Sequence, residues 1–319
     1  MEYLKNNPDN VRRPALALAP IPYFWSTETI LAFYAEATDW PVDIVYLGET
    51  ICGKRRSLSL DDWMAIGHRL ADAGKDVVLS TMVLLEAESE LAILARICAN
   101  ESFSVEANDV GAIQLLTEQS GGSAEPRPFV IGPHINTYNA GTLSLLFELG
   151  AMRWVMPVES SRDTLAELQR TRPTGMQTEV FAYGRLPLAF SARCFAARAH
   201  NLPKDQCDFC CGNYPDGLQL ETQEDQNLFT INGIQMQSAG PCNLLSVTDE
   251  LAGLEVDILR IAPQSQGTAA VVRAFRDVLD GKTTASAAIT TLPSPGPGGW
   301  CNGYWEGEAG MVFHDPERF

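Results

Sequence analysis

Short runs of strand-forming residues alternate with amphipathic stretches along most of this chain, and that alternation limits the possible folds more than any other feature. The runs cover residues 15–21, 43–48, 76–82, 103–106, 128–132, 153–158, 179–183 and 256–261. Each is apolar or β-branched and short enough to be a buried strand. Between most of them apolar residues recur three and four positions apart, as in 26–37, 61–73, 88–99, 142–149 and 162–169, which is the spacing of one helix face. Ser26-Thr27-Glu28-Thr29 and Ser59-Leu60-Asp61-Asp62 begin two of these helices with side-chain oxygens for unpaired amides and negative charge for the helix N-terminus.

Strand and helix alternating this often imply parallel strands joined by crossover helices. Doubly wound sheets and (β/α) barrels both meet that condition, and about eight repeats favour a TIM-barrel-like α/β fold. The expected organisation is a flexible N-terminus over 1–14, a barrel-like domain over 15–281 and a C-terminal extension over 282–319 packing on the barrel. Regularity fails over 186–217, which reads as a cysteine-rich insertion near the strand mouth. Residues 218–228 are polar, and 229–237 read as one further strand.

Forty acidic against 23 basic residues give a net charge of −17 in 319 residues. A nucleic-acid partner is not expected, because phosphate binding needs a basic surface. Lys54-Arg55-Arg56 stands alone. An acidic surface also disfavours anionic membranes, no run is apolar enough to insert in one, and Met1 to Pro14 lacks the features of a secretory signal. A cytoplasmic location is expected. In a reducing compartment, eight cysteines point to metal chemistry, reactivity or burial before disulfides.

The most informative segment runs from Arg193-Cys194 to Cys207-Asp208-Phe209-Cys210-Cys211-Gly212, with cysteines at intervals of 13, 3 and 1 residues. Soft thiolates select iron–sulfur clusters, zinc or copper(I), and ligands close in sequence let one loop wrap part of the site. A fourth ligand must come from elsewhere. Cys52 is attractive because it follows a strand at 43–48, where barrel active sites form, and because Lys54 and Arg55 favour its thiolate. Spacing alone leaves cluster and zinc open, and Cys210 and Cys211 equivalent. Cys98 sits on the apolar face of a helix, and Cys242 and Cys301 read as buried small hydrophobes more readily than as spare ligands.

Four stretches carry a resemblance: Tyr46-Leu47-Gly48-Glu49-Thr50-Ile51-Cys52-Gly53-Lys54-Arg55-Arg56, Glu179-Val180-Phe181-Ala182-Tyr183-Gly184-Arg185-Leu186-Pro187-Leu188-Ala189, Arg193-Cys194-Phe195-Ala196-Ala197-Arg198 and Asn201-Leu202-Pro203-Lys204-Asp205. With Asn232-Gly233-Ile234-Gln235 and Cys301-Asn302-Gly303-Tyr304-Trp305, they resemble the UbiV family, a branch of the proteins historically called collagenase-like U-type peptidases. The resemblance runs from about residue 15 to the end. It implies a [4Fe–4S] cluster on Cys52, Cys194, Cys207 and Cys211, with Cys211 preferred to Cys210. It also implies a heterodimer with a UbiU-like sister subunit carrying its own cluster, assistance from a UbiT-like lipid-binding protein, and oxygen-independent hydroxylation of a quinone-precursor ring in ubiquinone biosynthesis, with prephenate as hydroxyl donor. Cys210 and Cys242 are additions to that pattern.

Polar residues closing the strands are the other candidates, since barrel substrates bind there. Glu106 and Glu179 are candidate catalytic carboxylates. Glu49, Asn108, His134, Asn136 and Tyr183 are substrate candidates, and Glu159 stands at another strand end. Such residues also cap helices and satisfy loop backbone. His68 lies in an amphipathic helix, while His200 and His314 sit in irregular segments without a ligand partner. Paired-histidine helices, Gly-x-Ser-x-Gly turns and phosphate-loop lysines are missing. Two rival functions remain: a peptidase-like hydrolase, and a non-catalytic structural partner of a catalytic subunit.

Overall fold

The structure is a computed structural model that describes residues 13–118 and 127–314. Of the N-terminal stretch expected to be flexible, residues 1–12 lie outside the described residues.

The chain order is β1 (Ala15–Leu18), α1 (Thr27–Ala37), β2 (Ile44–Leu47), α2 (Leu60–Asp72), β3 (Asp76–Ser80), α3 (Glu88–Cys98), β4 (Ser104–Ala107), α4 (Val110–Glu118), β5 (Phe129–Ile131), α5 (Ala140–Glu148), β6 (Ala151–Val155), α6 (Arg162–Thr171), β7 (Gln177–Phe190), α7 (Phe195–Ala199), β8 (Leu218–Glu221), β9 (Asn227–Asn232), β10 (Gln235–Asn243), α8 (Thr248–Gly253), β11 (Ile258–Ile261), α9 (Thr268–Leu279) and α10 (Ala285–Ile289). Strands β1 to β7 pair in sequence order and in parallel, and β11 pairs in parallel with both β1 and β7. That double pairing closes an eight-stranded barrel ringed by helices, the TIM-barrel-like fold expected from the alternation. The eight strand runs read from sequence are its eight staves.

Side chains alternate across each stave. Ala17, Ile44, Tyr46, Val78, Val130, Val155 and Ile258 fill the barrel interior. Their neighbours Leu16, Leu18, Val45, Leu47, Val77 and Leu79 face outward into the larger core beneath the helices. The expected helix starts are present. Ser26 accepts from the Thr29 amide, and Ser59 and Asp62 form a reciprocal capping box at α2, which satisfies amides that have no partner within the helix.

The departure from a plain barrel begins in β7. This strand runs on past the rim to Phe190, where β10 pairs with it antiparallel, followed by β9 and β8. The single strand expected over 229–237 is therefore a hairpin. Its two-residue turn is Gly233-Ile234, between the paired Asn232 and Gln235, with Gly233 at φ +63°, the first central position where such a turn calls for glycine. The cysteine-rich segment hangs between β7 and β8. The C-terminal segment lies against β10: Cys301 forms a parallel bridge with Cys242, the Trp300 ring packs on Tyr183, and the Arg162 amide donates to the Trp305 carbonyl at 3.0 Å.

Candidate functional site

Cys52 lies in the loop between β2 and α2. Glu49 turns back into that loop and accepts from the Ile51 and Cys52 amides at 2.8 and 3.0 Å, so this carboxylate holds the loop in shape. Cys194 caps α7, accepting from the Ala197 amide at 3.4 Å. Cys207 and Cys211 flank Asp208 and Phe209, two consecutive non-glycine residues at φ +45° and +50°. Such backbone is costly and persists where surroundings enforce it. The Phe24 ring, 5.4 Å from Phe209 and packed on Gly212, supplies that support.

The structure brings these thiols together. Cys52 lies within electrostatic reach of Cys194, and Cys211 within reach of Cys194 and Cys207. Burial pushes the Cys52 and Cys211 thiols up, while the Arg55 charge pulls both down. Cys210 is close too, buried with Ala196 and Ile231 in a small core against which Cys194 and Cys211 pack. No three His, Cys, Asp or Glu side chains among the described residues converge tightly enough to grip a single metal ion.

Arg55 and Lys54 join the Cys52 loop to the cysteine-rich extension. The Lys54 ammonium donates to the Lys204 carbonyl at 2.8 Å. Arg55, only 5% exposed, donates to the Pro22 carbonyl and to Asn232 Oδ1 at 2.8 and 2.7 Å. Its Nε is buried without a partner in hydrogen-bonding geometry, and the guanidinium lies beside the Cys211 thiol.

A cavity of about 60 Å³ occupies the barrel mouth, lined among others by Pro22, Ile51 next to Cys52, Glu106, Asn108, His134, Arg185, Gln237 and Arg260. Burial, with the nearby Arg260 charge, pushes His134 down to about 3, so its imidazole is neutral at physiological pH. Asn108 holds Thr81 and Glu106 through its amide nitrogen, while its Oδ1 is buried without a partner. Gly132 makes room for that amide, since a Cβ there would stand 1.9 Å from Asn108 Oδ1.

Glu106 and Glu179 are tied into a polar ladder along the barrel axis. Arg260 meets Glu106 at 2.7 Å and Glu179 at 2.6 Å. Tyr46 donates to Glu179 at 2.5 Å and accepts from Arg153 at 2.9 Å, and Arg153 reaches Asp76 at 3.6 Å. The Arg260 guanidinium also lies 4.0 Å from the centre of the Tyr46 ring. Glu106 meets the cavity, whereas Glu179 lies deeper, at 0% exposure.

The remaining candidates are dispersed. Asn136 is exposed, and Glu159 accepts a short hydrogen bond from Tyr138 at the surface. Tyr183 packs against Phe275 and Trp300 and is not among the residues lining the mouth cavity. Sequence reasoning missed Tyr46, Arg153, Arg185 and Arg260. The readable signal was an arginine inside an otherwise apolar strand, as in Leu259-Arg260-Ile261, because a charge there must find a buried partner. Among the described residues, no helix is long and apolar enough to cross a membrane.

A U32 peptidase structure superposes with a TM-score of 0.44 at 8% identity, covering 83% of this chain and 97% of that one. Tryptophan synthase from M. tuberculosis gives 0.43 at 12% identity, covering 88% and 92%. Dihydropteroate synthase from Thermus thermophilus gives 0.40 at 11% identity, covering 84% and 93%. The sequence itself matches Peptidase family U32 over residues 28–294, and on that match the chain belongs to peptidase family U32.

Proposed function

We propose that this chain is the [4Fe–4S] subunit of an oxygen-independent ring hydroxylase, paired with a UbiU-like sister subunit and acting on a quinone precursor delivered by a UbiT-like lipid-binding protein. The observation that carries the reading is the gathering of Cys52, Cys194, Cys207 and Cys211, from segments up to 159 residues apart in sequence, next to a barrel-mouth cavity. The donor set suits the group: four thiols match a cubane's usual ligands. The Arg55 guanidinium beside Cys211 is the kind of donor that tunes cluster sulfur. A bound cluster supplies one-electron transfer or Lewis acidity.

The chain's own residues have separate tasks in this scheme. Glu49 and Arg55 hold the Cys52 loop against the extension. Arg185, with its Nε on the Ala239 carbonyl at 3.2 Å, brings positive charge to the cavity, where a carboxylated donor such as prephenate would be oriented. Neutral His134 is available as a hydrogen-bond partner there. Glu106 orients Arg260 and Asn108 at the cavity floor, and Glu179 anchors the ladder beneath them.

Membership of peptidase family U32 favours one rival, a peptidase-like hydrolase. Anaerobic co-purification with metal and sulfide analysis separates the two. The expected result is iron and sulfide near about four each and a brown absorption lost in air, all abolished by Cys194→Ser. Stoichiometric zinc without sulfide, or peptide turnover surviving removal of all four cysteines, sinks the cluster reading.

A further inference from the structure

Two cysteines outside the proposed cluster site face one another across the seam between β10 and the C-terminal segment. Cys242 and Cys301 are partners in an isolated parallel bridge, framed by hydrogen bonds from the Asn243 amide to the Cys301 carbonyl and from the Cys301 amide to the Pro241 carbonyl, both at 3.0 Å. Adjacent strands lie about 4.7–4.9 Å apart, and paired residues carry their β-carbons on the same side. Disulfides need about 3.5–4.5 Å between β-carbons. A shift of roughly 1 Å in the C-terminal segment closes that gap.

The seam is built for close approach. A Cβ on Gly240 would stand 1.8 Å from the Gly299 carbonyl oxygen, and one on Gly298 would stand 2.6 Å from the Gly240 amide, so only glycine lets the two backbones meet. Cys301 Sγ donates to the Gly240 carbonyl at 3.6 Å, and the neighbouring thiols shift one another, Cys301 downward and Cys242 upward. Of the two, Cys301 gives up its proton the more readily, and the thiolate is the attacking species in thiol–disulfide exchange. Neither residue belongs to the mouth cavity. Cys242 instead lines a separate, small apolar cavity of about 20 Å³ between β6, β7 and the C-terminal segment.

We propose that Cys242 and Cys301 form an oxidisable dithiol that closes to an intramolecular disulfide, bolting the C-terminal segment to β10. The oxidant is a low-molecular-weight disulfide. The Cys301 thiolate attacks one of its sulfurs, breaking the external S–S bond and releasing one small thiolate. Cys242 then gives up its proton and attacks Cys301 Sγ in the mixed disulfide, expelling the second small thiolate. Two protein thiols are oxidised, one external disulfide is reduced to two thiols, and the two protons go to the leaving thiolates. Both residues are buried, at 5% and 2% exposure, so the first attack occurs when the C-terminal segment lifts from β10, parting the Gly298-Gly299 contact with Gly240.

This inference does not rest on the cluster. The experiment incubates the reduced full chain with oxidised glutathione, alkylates the remaining thiols, and maps crosslinks by mass spectrometry without reduction. The expected result is a Cys242–Cys301 crosslink in about tenfold or greater excess over any other pair among the eight cysteines, the preference that about 30 mV in two-electron potential confers. Cys242→Ser should instead leave glutathione attached to Cys301. A protease cut in 293–299 should release the C-terminal fragment from reduced protein and retain it in oxidised protein. Alkylation of both residues with no such crosslink in folded protein overturns the proposal, as does preferential crosslinking among Cys194, Cys207, Cys210 and Cys211.

Discussion

The barrel axis and the extension above it are both rich in chemically demanding side chains, yet they handle the demand in opposite ways. Along the axis, Glu106, Glu179, Arg153 and Arg260 offset one another's charge, with Tyr46 between them. At the junction with the extension, Cys52 from the β2–α2 loop meets Cys194, Cys207 and Cys211. Buried charges are tolerated only when paired, and the axis pairs its own, Glu106 with Arg260 at 2.7 Å. A protonated thiol needs no ion pair, so the cysteines can sit together without one.

The largest expected effect breaks the paired axis. Glu179→Ala strands Arg260 and Tyr46 in the barrel interior and should cost about 3–5 kcal/mol in urea unfolding, the usual result of orphaning one member of a buried pair. A cost under about 1 kcal/mol would mean the ladder is not the structural element described here. Next is Arg55→Gln, which removes charged hydrogen bonds to Pro22 and Asn232. It should cost about 1.5–3 kcal/mol and speed hydrogen exchange in the extension more than in β1 to β6; uniform acceleration would contradict its place at the junction.

His134 tests the mouth, where the two regions meet. Its folded pKa is pushed down to about 3, below the ordinary value of about 6.5. The unfolded chain therefore takes up a proton that the folded one refuses as pH falls between those values. Stability from this residue is complete above about 6.5 and declines on acidification toward 3, by up to about 1.4 kcal/mol per pH unit. His134→Gln should flatten that slope, and an identical acid-unfolding profile would refute the burial argument. The smallest effect belongs to the thiols. Cys194→Ser in metal-free protein should change stability by no more than about 0.5 kcal/mol, and a loss several times larger would make the thiols structural after all.

The barrel was legible because each stave declares itself locally, and the turn of charge and polarity at α1 and α2 marked their starts. The β9–β10 hairpin was lost by reading 229–237 as one run, although Gly233 interrupts it with the glycine that a two-residue turn calls for. For the thiols, spacing exposed Cys194, Cys207 and the Cys210-Cys211 pair, while Cys52 was reachable only through its place after β2. The axial ladder was mostly hidden. Tyr46 and Glu179 lie 133 positions apart and Arg260 lies 81 beyond Glu179, and nothing local says that such residues meet.

Strand β7 serves the barrel with its first half and the extension with its second, without a break in the chain from Gln177 to Phe190. The register shifts of β7 against β11 and β10, with Gly184 at φ +125° beside them, let this strand turn from barrel to extension while it keeps its ladder. One strand thus sets both the closure of the barrel and the root of the extension.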